Sequence, residues 1–330
     1  MKPFAFHEPQ SVAGAIEALE AGRENACLIA GGSDLLGQLK DGLVHYERLV
    51  SLGAIEGMRE FHGDQSGLRI GAGATLARLE HEPLLTGPYS ILAEAARGIA
   101  TPEIRNQGTV GGNLCQRPRC LHYRSNWISC LKKGGADCPA VESSHQQYLS
   151  VFGGAGCFSV HASDLAPPLL ALHASAVVAA KGGERTIPLS EFFAGPEQDV
   201  RRENTLSRNE VLTAVVVPAA PEGWRGAYLK FRERNAGDFP LVSVAFGCSL
   251  VEGKMQNVRM VLGAVSPVPR PCPEAEAVLE GQRPDPEFLE AAANAAFAPA
   301  TPLPHNGFKV EIGRALVLRA MGQVIEFDDL

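Results

Sequence analysis

The chain has 330 residues, of which 45% are hydrophobic and 20% charged, and its formal net charge is -7. This is an ordinary composition for a globular protein of two domains, or of one large domain with an appendage. The acidic balance offers no basic stripe for nucleic acid. No apolar run reaches the length of a membrane span, and polar His7-Glu8-Pro9-Gln10 stands where a signal peptide would have its apolar core.

In chain order, Val12, Ala15, Ile16 and Leu19 fall at helical spacing, with Ser11 as N-cap and Gly22 as stop. Residues 26–30 read as a buried strand that runs into Gly31-Gly32 and a helix from Ser33 to Lys40. Strands are expected at 48–50 and 68–70, helices at 76–85 and 91–99, and a glycine-rich loop from Arg105 to Asn113. Residues 114–157 have no periodicity, and a loop of that length is either disordered or held by something other than an apolar core. Regular structure is expected again from Phe158, with a helix from Ser163 to His173, a hairpin of 176–180 and 186–189, and a strand at 211–217. Ala219 to Gly223 is the candidate linker. Strands at 227–232, 242–250 and 258–265 come next, then helices at 273–280, 286–296 and 309–321.

Two glycine-rich turns carry the first chemical signal: Ala30-Gly31-Gly32-Ser33-Asp34-Leu35 and Arg105-Asn106-Gln107-Gly108-Thr109-Val110-Gly111-Gly112-Asn113. Glycines let successive backbone N–H groups turn toward one anion, and a following helix N-terminus favours negative charge. Either pair alone could be a tight turn. Acting together they suit a diphosphate. A Rossmann reading fails, because no G-x-G-x-x-G follows a strand, and no G-x-x-x-x-G-K-[ST] phosphate loop is present.

The second signal is cysteine. Of eight, five crowd between Cys115 and Cys157, with the spacing Cys120-x9-Cys130-x7-Cys138-x18-Cys157. Disulfides suit small secreted chains, structural zinc prefers close C-x-x-C pairs, and an iron–sulfur cluster tolerates irregular loops. Spacing alone leaves zinc and iron–sulfur open. Cys27, Cys248 and Cys272 lie in strand or helix-start contexts and read as small buried hydrophobes.

The glycine loops resemble A-G-G-[TS]-[DN]-L and R-N-x-[AG]-T-x-G-G-N of flavoprotein subunits in the xanthine dehydrogenase and carbon monoxide dehydrogenase family of molybdenum hydroxylases. His161-Ala162-Ser163-Asp164-Leu165-Ala166 is similar to that family's P-S-D-L/M-A, with Ala162 in place of proline. Lys230-Phe231-Arg232-Glu233-Arg234 is similar to its K-x-R-x-R strand, and residues 238–245 resemble the family's segment just after that strand. The resemblance keeps family order over nearly the whole chain. It implies an α+β fold: a two-lobed FAD domain of the vanillyl-alcohol-oxidase (PCMH) type over 1–220, then a small α+β domain over 221–330.

It also implies residue roles. Ile29, Ala30, Gly31, Gly32, Ser33, Asp34 and Leu35, with Thr109, Gly111, Gly112 and Asn113, would wrap the diphosphate and ribityl chain of FAD. Asp164 would bond the cofactor's polar chain, Lys230 would sit near the flavin ring, and Ile99 would touch it. The bland alternatives are that Asp164 is the N-cap of the 163–173 helix and that Lys230 is a solvated strand residue.

The cysteine-rich insertion resembles that of periplasmic aldehyde oxidoreductase FAD-binding subunits, through Asn113-Leu114-Cys115-Gln116-Arg117-Pro118-Arg119-Cys120. That likeness implies a [4Fe–4S] cluster on Cys120, Cys130, Cys138 and Cys157. Cys115 falls where those subunits have an apolar residue and is not counted as a ligand. Arg117, Arg119, Arg124, Lys132 and Lys133 would add positive charge near an anionic cluster.

The resemblance further implies an electron-transfer subunit with no catalytic residue of its own. Its partners would be a molybdenum-cofactor large subunit and a [2Fe–2S] small subunit, in a heterotrimer or its dimer, with an external electron acceptor. The compartment would be the cytoplasm, or the periplasm by co-export with a signal-bearing partner. The competing readings are a stand-alone FAD oxidase of the same fold and a zinc-stapled interaction protein.

Overall fold

The structure, a computed structural model, describes residues 1–235 and 237–325; positions 236 and 326–330 of the expected second domain lie outside the described residues. Three sheets organise it. β1 (Ala5–His7), β2 (Ala26–Ile29) and β3 (Arg48–Ser51) form a parallel sheet in the order β1-β3-β2. The helix Val12–Gly22 crosses between its first two strands in sequence. Ser11 caps that helix, its hydroxyl accepting from the Gly14 amide, while Ala15, Ile16 and Leu19 face inward. These are the cap and the inward face expected from the sequence.

The second sheet is antiparallel, in the order β4-β5-β8-β6-β7, from β4 (Phe61–Asp64), β5 (Gly67–Gly71), β6 (Ser175–Ala180), β7 (Gly183–Pro188) and β8 (Val211–Pro218). β8 pairs on both edges and is buried along most of its length, as its continuous Val/Leu/Ala run requires. One apolar core joins the first two sheets through Ile16, Val50, Ile70, Leu92 and Val215.

The third sheet holds β9 (Arg225–Phe231), β10 (Val242–Val251), β11 (Lys254–Gly263) and β12 (Arg270–Pro271), antiparallel in the order β12-β11-β10-β9. The helices Pro273–Leu279, Pro286–Phe297 and Phe308–Ile325 cover it, and Phe246, Met260, Phe297 and Val317 fill a separate core. The fold is α+β. Val151 and Phe152, where the cysteine-rich stretch ends, pack into this last core rather than into the first.

Several expectations need correction. Arg105 to Asn113 is not an extended loop: it lies within two short helices, Pro102–Gln107 and Val110–Leu114, broken at Gly108. Pro102 at the first turn and Thr109, whose hydroxyl accepts from the Gly112 amide, nucleate them. Regular structure does not resume at Phe158; residues 158–165 run irregularly, with one bridge between Leu149 and Ser159. The helix expected from Ser163 to His173 is only Ala166–Ala171, and Ser163, not Asp164, accepts from its Ala166 amide.

Candidate cofactor site

The first glycine turn comes directly after β2. Gly32 has φ +71, and a Cβ on Gly31 would lie 1.7 Å from the Gln107 carbonyl oxygen. Glycine is therefore required at both: at Gly32 for the left-handed backbone, at Gly31 because the two turns touch there. The amides of Gly31, Gly32 and Ser33 donate to no backbone or side-chain acceptor among the described residues. Three adjacent unbonded N–H groups in a turn are what an anion needs.

The second turn differs. Val110 donates to the Ala74 carbonyl, Gly111 to Ala72 and Gly112 to the Thr109 hydroxyl. Its amides are bound within the chain, and a Cβ on Gly111 would meet Ala72 at 3.0 Å. Gly111 serves packing against residues 72–74, while Gly112 faces open space apart from Thr109.

Two adjoining cavities flank these turns, of about 500 and 210 Å³. Ser33, Asp34, Thr109, Gly112 and Gln116 line both, so the cavities meet at the glycine turns. Ile29, Ala30, Gly31, Gly32, Leu35 and Gly111 line the larger; Ile99, Asn113, Asp164 and Lys230 line the smaller. Every cofactor-site residue named from the sequence thus borders one cavity or both. Volumes of this order suit an extended organic cofactor.

A buried polar network closes the smaller cavity. Lys230 Nζ lies 2.9 Å from Asp164 Oδ2 and also donates to the Gly98 carbonyl at 3.0 Å, with both side chains almost fully buried. The Tyr228 hydroxyl donates to Asp164 Oδ1 at 2.5 Å. Burial, and then the Asp164 carboxylate, push that hydroxyl well above its ordinary range, so it stays protonated. An ammonium has three donors; two are used here. Asn113 is fixed by the Ser163 hydroxyl, which donates to its Oδ1 at 2.6 Å. Lys230 is therefore no solvated strand residue, and Asp164 is no helix cap.

Asp34 borders both cavities, but its carboxylate already has partners in the cysteine-rich stretch. Arg124 Nη2 and Arg119 Nη1 lie 2.6 and 3.1 Å from Oδ1, and the Arg117 amide donates to Oδ2 at 2.9 Å. Charge pairing of this kind recurs along the first part of the stretch. Lys132 Nζ lies 2.7 Å from Glu203 Oε1, both side chains 4% exposed, and Arg117 pairs with the other Glu203 oxygen. Lys133 donates to the carbonyls of His122 and Ser125. The five basic residues are thus engaged within the chain rather than left free around the cysteines. At the far end, Lys309 Nζ donates to the carbonyls of Leu149 and Ala264, each at 2.8 Å.

Cys130 and Cys157 are buried, and Cys120 and Cys138 half-buried. Burial raises the Cys120 thiol, with Cys138 and Cys157 adding to the effect; burial also raises Cys138, with Cys157 and Cys130 adding. Among the described residues no three His, Cys, Asp or Glu side chains converge tightly enough to hold a single metal ion. Cys115 and Cys27 instead line the larger cavity, and burial pushes them up to about 12 and 11. Cys248 and Cys272 are buried in the C-terminal core.

The family model for the FAD binding domain in molybdopterin dehydrogenase matches residues 2–220. The chain belongs to this family. A second model, the CO dehydrogenase flavoprotein C-terminal domain, matches residues 227–324. This molybdopterin-dehydrogenase flavoprotein is 29% identical to the aldehyde oxidoreductase FAD-binding subunit PaoB of Escherichia coli (strain K12), covering 98% of each chain. It is 28% identical to the carbon monoxide dehydrogenase medium chain of Hydrogenophaga pseudoflava, covering 96% of each. Its structure superposes on carbon monoxide dehydrogenase from Hydrogenophaga pseudoflava with a TM-score of 0.79 at 27% identity, covering 98% of this chain and 97% of that one. It is a medium, FAD-binding subunit of the molybdenum hydroxylase type, and an oxidoreductase component; the stand-alone oxidase reading does not fit these relatives.

Sequence reasoning missed how the site is walled. Gln116, Arg117, Arg119 and Tyr123 border the cavities from inside the cysteine-rich stretch. The only signal is their closeness in sequence to the second glycine turn.

Proposed function

We propose that the chain carries electrons through FAD, from iron–sulfur clusters of a small subunit to an external acceptor, while substrate is oxidised on a molybdenum-containing large subunit. The observation that carries this reading is the pair of cavities meeting at three unbonded amides, with a buried lysine on the smaller side. The amides of Gly31, Gly32 and Ser33 would hold the diphosphate. Thr109, Gly112 and Asn113 would border the ribityl chain, Ile99 would pack on the ring, and Asp164 would fix Lys230 so that its remaining N–H faces the cofactor. Bound FAD supplies the exchange between one-electron and two-electron carriers. No His or Cys lines the smaller cavity among the described residues, which favours non-covalent binding. We place the boundary between the FAD domain and the C-terminal domain at about 220, between β8 and β9.

The same reading assigns a [4Fe–4S] cluster to Cys120, Cys130, Cys138 and Cys157. The likeness of the cysteine-rich insertion to that of aldehyde oxidoreductase FAD-binding subunits supports an iron–sulfur centre over zinc. The partner subunits implied by the medium-subunit relatives rest on the same resemblance. No helix among the described residues is long and apolar enough to cross a membrane.

Acid precipitation of the purified chain should release FAD into the supernatant, and metal analysis should find about four irons per chain, as a [4Fe–4S] centre requires. Cys130→Ser and Cys157→Ser should lose the iron, and Cys115→Ser should keep it. Zinc in place of iron, or flavin retained in the pellet, would contradict the assignment.

A further inference from the structure

We propose that Arg119, carried by the cysteine-rich stretch, is a further FAD-binding residue that places a cation where the two cavities meet. The proposal rests on the FAD reading above. Arg119 borders the smaller cavity. Its guanidinium is held 3.1 Å from Asp34 Oδ1 and donates to Gln116 Oε1 at 3.1 Å; both partners line both cavities. It is therefore held where the two cavities meet, against Asp34, which follows the unbonded amides of Gly31, Gly32 and Ser33 in sequence.

The charge balance there is incomplete. One carboxylate, Asp34, faces two guanidinium groups, Arg119 and Arg124, and Arg124 at 2.6 Å already satisfies it. Arg124 does not line either cavity, whereas Arg119 does. The other two carboxylates that line the smaller cavity are each matched, Asp238 by Arg234 at 2.6 Å and Asp164 by Lys230 at 2.9 Å. The surplus positive charge thus faces the cavity, where a diphosphate would supply the missing anion. Arg119 Nε, moreover, is buried with no acceptor. Buried donors are seldom left unpaired, and a small swing of the guanidinium toward a cofactor oxygen would satisfy it. The guanidinium lies 4.9 Å over the Phe239 ring, another lining residue, so the swing has a flat apolar surface to slide on.

The anion could instead be the cluster next door, since Cys120 is the following residue. The test separates the two. FAD affinity is measured by flavin fluorescence on deflavinated full-length chain, at low and high salt, for wild type, Arg119→Gln and Arg119→Lys, with iron content and thermal midpoint in parallel. Arg119→Gln should weaken FAD binding at least tenfold and flatten its salt dependence, while iron and midpoint stay near wild type. Arg119→Lys should recover most of the affinity by restoring the charge. Wild-type FAD affinity in Arg119→Gln would overturn the proposal, as would loss of iron in step with loss of flavin. Failure of the wild-type chain to bind FAD would overturn both this proposal and the FAD reading, and is told apart by the wild-type control.

Discussion

The glycine turns and the cysteine-rich stretch lie side by side and are built on opposite principles. The turns are backbone structures: Gly31 presses on the Gln107 carbonyl, Gly111 on Ala72, and the apolar core of two sheets stands behind them. The cysteine-rich stretch has only one short α-helical turn and one 3-10 turn. Side chains tie it down at three places, by charge at the first glycine turn through Asp34 and at residues 200–206 through Glu203, and by hydrogen bonds from Lys309 on the last helix, beside which Val151 and Phe152 pack into the C-terminal core. A segment tied down this way depends on individual ions. The glycine turns depend on the absence of side chains.

The largest expected effect lies in the turns. Gly31→Val would put Cβ against backbone that cannot retreat, so FAD retention, read as visible absorbance per chain, should vanish. Gly112→Val sharpens the comparison, because its Cβ meets nothing beyond Thr109. It should fold with a midpoint near wild type and still lose flavin. If Gly112→Val retained full flavin, the cofactor would not run past the second turn.

The cysteine-rich stretch should fail by charge. Glu203→Ala leaves Lys132 buried without its carboxylate. Removing one partner of a buried pair typically costs about 3–5 kcal/mol, measurable by urea unfolding. A cost below about 1 kcal/mol, as for exposed pairs, would show that the stretch is held some other way.

A smaller effect should appear in pH dependence. Burial pushes Lys309 down to about 7, whereas an unfolded lysine titrates at about 10.4. Between those values the unfolded chain binds a proton that the folded chain does not. Stability should therefore rise with pH across that window, by at most about 1.4 kcal/mol per unit. Lys309→Met should abolish that slope while lowering stability, since the Ala264 carbonyl loses its side-chain donor. An unchanged slope would place the titration elsewhere.

The same contrast explains what is legible in the sequence. Strands, helix faces and the Ser11 cap are local patterns, and the glycine turns show as glycine beside strand ends. The Thr109 cap is equally local but is masked by the glycine signal, which makes two short helices look like a loop. The ion pairs give no such signal. Lys132 meets Glu203 across 71 positions, and Lys309 on its helix reads as a solvated charge until the fold buries it. Asp34 is legible as a site residue by motif, yet only the structure shows its carboxylate turned toward Arg117, Arg119 and Arg124 instead of standing free.

On the proposed reading this subunit carries electrons and does not oxidise substrate. Stopped-flow mixing with aldehydes or purines, with and without the proposed molybdenum and [2Fe–2S] subunits, decides it. The flavin should bleach rapidly in the complex and remain oxidised in the isolated chain. Rapid bleaching of the isolated chain would contradict the account and restore a self-contained oxidase.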